Sequence, residues 1–235
     1  MTKAAVYVGT RNMYGHMIPA MKSLLYNSDV DRIYLCIEDD VFPEPLPDVC
    51  KVINVSGQKY FEPNGANMRT RFSYMCMIRV AFAKFLPEDR VLSLDDDTIV
   101  DADISDLWEL PIDDYYFAAS HEWHKAQQNY LYTNVGVCLM NLAKLRDGKA
   151  DEMIAVLNKI RLEFIDQDVM NMLCQGHIYD IPSEYNANYY TEHTEHPKIY
   201  HHIGRNDLLP TFPDVQKYAR MSFDEVMAHR RKGGK

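Results

Sequence analysis

The chain has no positive charge surplus to offer a polyanion. Its 25 Lys and Arg are outnumbered by 34 Asp and Glu, a formal net charge of −9. That balance excludes general nucleic-acid binding, which wants a basic surface, but leaves room for one local phosphate pocket. There is no CxxC pair either. The five cysteines, Cys36, Cys50, Cys76, Cys138 and Cys174, are odd in number and widely spaced, so neither a zinc site nor a disulfide framework is indicated. Most lie in apolar segments and read as reduced, buried thiols of a cytoplasmic protein. No apolar stretch approaches the ~20 residues of a membrane span. The first residues run into a short apolar strand instead of a signal peptide. GxGxxG and Walker loops are missing, which removes support for a dinucleotide or P-loop site. Internal repeats and low-complexity stretches are absent too.

What is present is an alternation of strand and helix patterns in 235 residues, enough for one α/β domain with a sizeable core. Residues 4–8 form a short apolar run ending in Gly9-Thr10. A helical pattern follows through Ile18, Met21 and Leu25, with Pro19 expected in its first turn. Strands are expected at 33–37 and 52–55, with the proline-rich 42–47 a loop between them. A helix is expected over 67–85 and a strand over 91–94. This order implies a Rossmann-like, mostly parallel sheet with helices on both faces, and ligands at the carboxyl ends of its strands. Further on, strands are expected at 117–120 and 135–140, helices at 145–160 and 166–174, and polar, aromatic loops over 183–204. The expected organisation is a single domain, 1–235. Residues 1–110 make a nucleotide-binding half, 111–210 a donor-sugar and acceptor half, and 211–235 a C-terminal tail. The basic end from His229 is expected to be solvated and disordered.

Five constellations can carry chemistry. The first is Asp95-Asp96-Asp97, set between apolar runs. Three adjacent carboxylates cannot be buried unpaired, so something cationic must sit with them. If they continue the strand, Asp95 and Asp97 share a face and can converge on a hard divalent cation. The rival reading, a helix N-cap, needs only one aspartate. The second is Arg79, which falls in the apolar stripe of Phe72, Met75, Cys76, Phe82, Ala83 and Leu86. A guanidinium there needs a fixed anion, with Asp95 or a donor group as candidates, or else it snorkels to the helix edge. The third is Lys198-Ile199-Tyr200-His201-His202-Ile203-Gly204, whose histidine can complete a metal shell. One imidazole with two carboxylates suits Mn²⁺ better than Mg²⁺. Asp166-Gln167-Asp168 reads by itself as N-capping, and Asn134 entering an apolar strand reads by itself as a turn signal.

In their order and spacing these five features resemble glycosyltransferase family 8, the family of glycogenin and bacterial lipopolysaccharide galactosyltransferases. The resemblance runs from about Ala4 to Gly204. It implies the GT-A nucleotide-diphospho-sugar fold and a retaining enzyme. By position, Asp95 and Asp97 match the family's DxD metal motif and His201 the His of H-x-x-G. The three would hold Mn²⁺, with Mg²⁺ the alternative, against the donor diphosphate. Thr10, Arg11 and Tyr14 match the uridine-binding loop, Tyr14 stacking on the base. Arg79 matches a donor-contacting arginine, Asn134 the Asn of N-x-G-V near the donor sugar, and Asp166 and Gln167 the D-Q-D motif. The Asp contacts sugar hydroxyls and the Gln lies beside the anomeric carbon. Gly204 closes H-x-x-G, and Asp96 is expected to face the ribose or Arg79. Two departures stand out. Asp207 occupies the family's diphosphate lysine position, with Arg205 or Lys198 as substitute cations. Arg11 or Asn12 stands where the family has an acid.

The resemblance implies a hexosyltransferase moving glucose or galactose from a UDP-sugar to a carbohydrate, glycolipid or protein acceptor. Tyr185, Asn186, Tyr189 and Tyr190 can line a sugar-binding face. Same-face displacement beside Gln167 fits better than a covalent intermediate, because an amide is a poor nucleophile. The alternatives are a non-catalytic sugar-nucleotide-binding protein and a phosphohydrolase using its DxD aspartate as nucleophile.

Overall fold

The computed structural model describes residues 1–123, 130–205 and 207–233, with the backbone only at 231–233. In chain order the elements are β1 (Ala4–Gly9), α1 (Tyr14–Asn27), β2 (Arg32–Ile37), β3 (Cys50–Asn54), α2 (Met75–Ile78), α3 (Phe82–Phe85), β4 (Arg90–Leu94), β5 (Thr98–Val100), β6 (Phe117–His121), β7 (Thr133–Asn141), α4 (Leu142–Leu145), α5 (Lys149–Lys159), α6 (Ile165–Leu173), β8 (Ile178–Asp180), β9 (Ile199–His201), α7 (Pro213–Ala219) and α8 (Phe223–Gly233).

Seven strands form one sheet in the order β3-β2-β1-β4-β7-β6-β8. β1 pairs in parallel with β2 and β4, β2 with β3, and β6 with β8, whereas β7 runs antiparallel to both β4 and β6. The strand alternation serves two cores, as a doubly covered sheet requires. Ala5 and Tyr7 of β1 face Met21, Leu24 and Leu25 of α1, with Trp108 on the same side. Ala4 and Val6 face the opposite cluster of Ile78, Phe82, Leu157 and Met170. Among the described residues, no helix is long and apolar enough to cross a membrane.

This topology positions the site. β4 ends at Leu94, and its antiparallel neighbour β7 begins at the same edge, so Asp95 N donates to Gly136 O at 2.8 Å. A two-stranded ladder of β5 and β9 then brings Thr98 opposite His201.

Several expectations are corrected. Pro19 lies inside α1, because the helix starts at Tyr14 on a 3₁₀ turn over Arg11–Met13. Residues 67–74 are not helical. The Asn67 amide binds the carbonyls of Leu157 and Ile160, and its oxygen accepts from Leu162 N, pinning an irregular segment against α5. The helix that follows is interrupted by a 3₁₀ turn at Arg79–Ala81. The helix expected over 145–160 is two, separated at Gly148, whose φ of 93° a side chain would resist. The expected tail forms α7 and α8, packed on α1. His229 stacks on Tyr26 at 3.7 Å and Arg230 pairs with Asp29 at 2.7 Å. Residues 234–235 of that basic end lie outside the described residues.

Candidate active site

A cavity of about 510 Å³ opens at the carboxyl end of β4. The three aspartates do not continue the strand, as expected, but turn. Asp95 O accepts from Thr98 N at 3.2 Å and from Thr98 Oγ1 at 2.7 Å. The turn, rather than strand alternation, points Asp95 and Asp97 at one place. His201 arrives there from β9, its Nε2 lying 3.2 Å from Asp97 Oδ1 and 3.6 Å from Asp95 Oδ2.

Asp95, Asp97 and His201 each bring one ligand atom, all within 4.8 Å of one another. Asp97 Oδ1 is buried and accepts no hydrogen bond among the described residues, because the nearby imidazole is poorly aligned with it. A buried carboxylate oxygen left this way wants a cation. The tautomer agrees: His201 Nδ1 faces the amide oxygen of Asn186 at 2.8 Å and must donate to it, leaving the Nε2 lone pair toward the aspartates. Burial works against charge on His201, but Asp97 outweighs it and raises the imidazole pKa. Burial likewise pushes Asp97 up, and His201 more than reverses this. Two carboxylates and an imidazole fit a divalent cation.

Gly136 makes room for the imidazole. A Cβ added there would lie 2.0 Å from His201 Cε1. The sequence reading missed this role; the signal that could have found it is a glycine inside a buried strand, in Asn134-Val135-Gly136-Val137.

Arg79 is buried as expected, with its anions supplied by the protein. Its guanidinium binds Asp95, reaches Asp166 Oδ2 at 3.0 Å and Val135 O at 2.8 Å, and donates to Ser93 Oγ at 3.0 Å. Burial pushes the Asp166 carboxyl up to about 6 even with Arg79 beside it. Asp96 faces neither Arg79 nor open solvent. It meets His16 Nδ1 at 3.2 Å, and burial raises its pKa to about 6.

The opposite wall is a chain of polar side chains. Glu122 Oε1 accepts from both Asn134 Nδ2 and Gln167 Nε2 at 3.0 Å. Gln167 Nε2 also reaches Tyr132 Oη at 3.1 Å, and that phenol donates to Asp168 at 2.6 Å. The N-capping reading of the Asp-Gln-Asp run does not hold: the N-cap is Phe164, and Asp168 reaches back from the first turn of α6 to accept from Glu163 N and Phe164 N. Just before Asp166, buried Ile165 has φ of 30°, which costs a β-branched residue on the order of 1–3 kcal/mol.

Asp95, Asp96, Asp97, Arg79, Asn134, Asp166, Gln167, His201 and Gly204 thus share one cavity. Other expected residues do not join its wall. Thr10 pairs with Asn12, and Arg11 and Tyr14 both bind Asp39, at 2.5 and 2.8 Å. Tyr14 is buried with its ring against Phe42, so it is not presented as a stacking face. Asp39, from the loop after β2, brings a carboxylate beside Arg11, a pairing invisible in the linear order. Lys198 is committed to Asp106 and Glu184, and Arg205 is exposed outside the wall. Tyr185 and Asn186 are buried, Tyr185 on Asp106 and Asn186 behind His201, so neither forms an open sugar face. Glu122 was missed because a lone glutamate carries no signal; only the fold sets it between two amides.

Comparison with known proteins agrees with this geometry. The model described as "Glycosyl transferase family 8" matches residues 42–207. The glycosyltransferase GlyE of Streptococcus pneumoniae is 28% identical over 200 residues, covering 78% of this chain and 47% of GlyE. The lipopolysaccharide 1,2-glucosyltransferase of Escherichia coli is 31% identical over 115 residues, 43% of this chain and 34% of that protein. The chain therefore spans about half the length, or less, of these curated relatives. Among solved structures, GlyE matches with a TM-score of 0.75 at 22% identity, covering 99% of this chain and 64% of that one. The galactosyltransferase LgtC, solved with donor and acceptor sugar analogues, matches at 0.63 and 17% identity, covering 99% and 96%. At those identities the likeness shows the shared fold, which is GT-A.

Proposed function

The chain belongs to glycosyl transferase family 8, and on that footing we propose that it moves a hexose, glucose or galactose, from a UDP-sugar to an acceptor. Retention at the anomeric carbon and dependence on Mn²⁺ are parts of the proposal. The observation that carries it is the buried Asp97 oxygen, which accepts no hydrogen bond among the described residues and faces His201 and Asp95 in the cavity.

Asp95, Asp97 and His201 would hold the cation, with Asn186 fixing the imidazole tautomer. When bound, the cation supplies Lewis-acid neutralisation of a departing diphosphate. The protein's own residues do the rest. Arg79 locks Asp95 to Asp166, so the donor's two ends are gripped by one rigid unit. Asn134 and Asp166 offer hydrogen bonds to sugar hydroxyls. Gln167, held by Glu122 and Tyr132, would face the oxocarbenium-like centre as it develops. Its amide is a weak nucleophile, so it stabilises charge instead of forming a covalent bond.

The test is UDP release from UDP-glucose and UDP-galactose with Mn²⁺. Release should fall on the order of 10²–10³-fold in Asp95→Ala. UDP binding without release would favour a non-catalytic donor-binding protein. Phosphate release from simple esters would favour a phosphohydrolase.

A further inference from the structure

Two arginines line the cavity, Arg71 and Arg79, and they differ in how far their donors are committed. Arg79 is buried, its guanidinium divided among Asp95, Asp166, Val135 O and Ser93. The Arg71 side chain is 62% exposed. Its guanidinium lies 4.8 Å from the centre of the Phe72 ring and 5.3 Å from that of Phe164, and the two rings are 6.3 Å apart. Such contacts hold the planar group by its face and leave its N–H edge for an anion. Among the described residues its one ion pair is with Glu163, at 3.9 Å, between side chains 62% and 73% exposed. A long, solvated pair of this kind contributes little and is easily exchanged for another anion.

A second guanidinium reaches the same segment. Arg161 donates to the carbonyl of Arg69, two residues before Arg71, at 3.2 Å. On a chain of net charge −9, this is a local reversal of sign, and a negative ligand is drawn to it. Its place in the cavity says which ligand. Glu163 and Phe164, the partners of Arg71, lead directly into α6, whose first turn carries Asp166 and Gln167. The cation cluster is built from other elements, the turn after β4 and strand β9. An anion on Arg71 therefore belongs to the α6 side of the cavity. A guanidinium edge matches the paired oxygens of a carboxylate or phosphate, whereas a neutral hexose offers it only hydroxyls.

We propose that the acceptor is anionic, and that Arg71 binds a carboxylate or phosphate group on the sugar that receives the hexose. Glu163 is the internal stand-in that holds the guanidinium until this group arrives, and Arg161 adds to the local positive potential. This rests on the glycosyltransferase reading. The rival anion is the donor diphosphate, which the proposed function assigns to the cation cluster.

The test is calorimetry with UDP and Mn²⁺ saturating, comparing methyl glucoside, methyl glucuronide and glucose 6-phosphate. The last two separate carboxylate from phosphate. At least one of them should bind about tenfold more tightly than methyl glucoside, the scale of one charge-assisted contact. Arg71→Gln should remove that preference without changing UDP affinity, and Arg71→Lys should restore part of it. Glu163→Gln takes away the internal competitor and should tighten the same sugar by roughly two- to fivefold. Equal binding of the neutral and charged sugars, or no binding of any, would overturn the proposal. So would a preference that survives Arg71→Gln. Weakened UDP binding in Arg71→Gln would also overturn it, by giving the guanidinium to the donor. Failure of the unaltered protein to bind UDP would sink the transferase reading itself.

Discussion

At the cation end of the cavity, Asp95 and His201 face a buried Asp97 oxygen that accepts no hydrogen bond among the described residues. At the end that we propose takes the sugar, Glu122 gathers amide protons from Asn134 and Gln167, and Tyr132 links Gln167 to Asp168. One end holds unfilled electrostatic demand; the other holds its polar groups already oriented. The difference separates two tasks. A site that must take up a cation keeps a strong acceptor in reserve, whereas a site that must orient a neutral sugar has its dipoles set beforehand. Substitutions at the first end should therefore act on metal and donor binding, and those at the second on turnover.

The largest effect that would sharpen this contrast is expected from Gly136→Ala. Its Cβ has no room beside His201, so the imidazole must move. Calorimetry should show Mn²⁺ affinity falling by about 100-fold, and thermal melting should show about 1–3 kcal/mol of destabilisation. Unchanged affinity would mean His201 is not a ligand. Asn186→Ala removes only the partner of His201 Nδ1, and should weaken Mn²⁺ on the order of 10-fold while leaving turnover at saturating metal near normal.

The sugar end should respond differently. Glu122→Ala frees both the Asn134 and Gln167 amides and should lower kcat by about tenfold, with UDP and Mn²⁺ affinities kept. Glu122→Gln, which retains an acceptor, should recover much of it. If Glu122→Ala instead changed only Mn²⁺ affinity, the division between the two ends would collapse. The smallest effect concerns Asp166. Its folded pKa of about 6 lies above the ordinary 3.8, so the stability it contributes is full below 3.8 and lost as pH rises through 6. Asp166→Asn should therefore gain in melting temperature relative to the parent, by a few degrees, between pH 4 and pH 7. A gap that does not change with pH would show that Arg79 compensates the buried charge fully.

Much of the frame was readable from periodicity. β1, β2 and β4 are apolar runs, and Arg79 interrupting an apolar stripe announced its own buried partners. The DxD pair was readable because three carboxylates cannot be buried without a cation. What escaped were features made by distant segments meeting. Residues 67–74 look helical, but Asn67 spends its amide on α5. The Tyr14 ring is claimed by Phe42 and its hydroxyl by Asp39, from a loop that composition alone leaves shapeless. The basic end looked like a tail because few apolar residues mark α7 and α8, yet Tyr218 and Val226 anchor them. Glu122 and Asn186 are ordinary residues until the fold sets them against Gln167 and His201.

The β5–β9 ladder has a consequence for how this protein reaches its native state. It joins the aspartate turn to a strand far downstream, so the ligand set spans most of the chain and has high contact order. β1, β2 and β3 can pair from local segments, but His201 is delivered only when β9 docks. Any ion held there favours the docked form by mass action. Bound metal would then act as a clasp on late folding, protecting the downstream segment from local opening while it serves the donor.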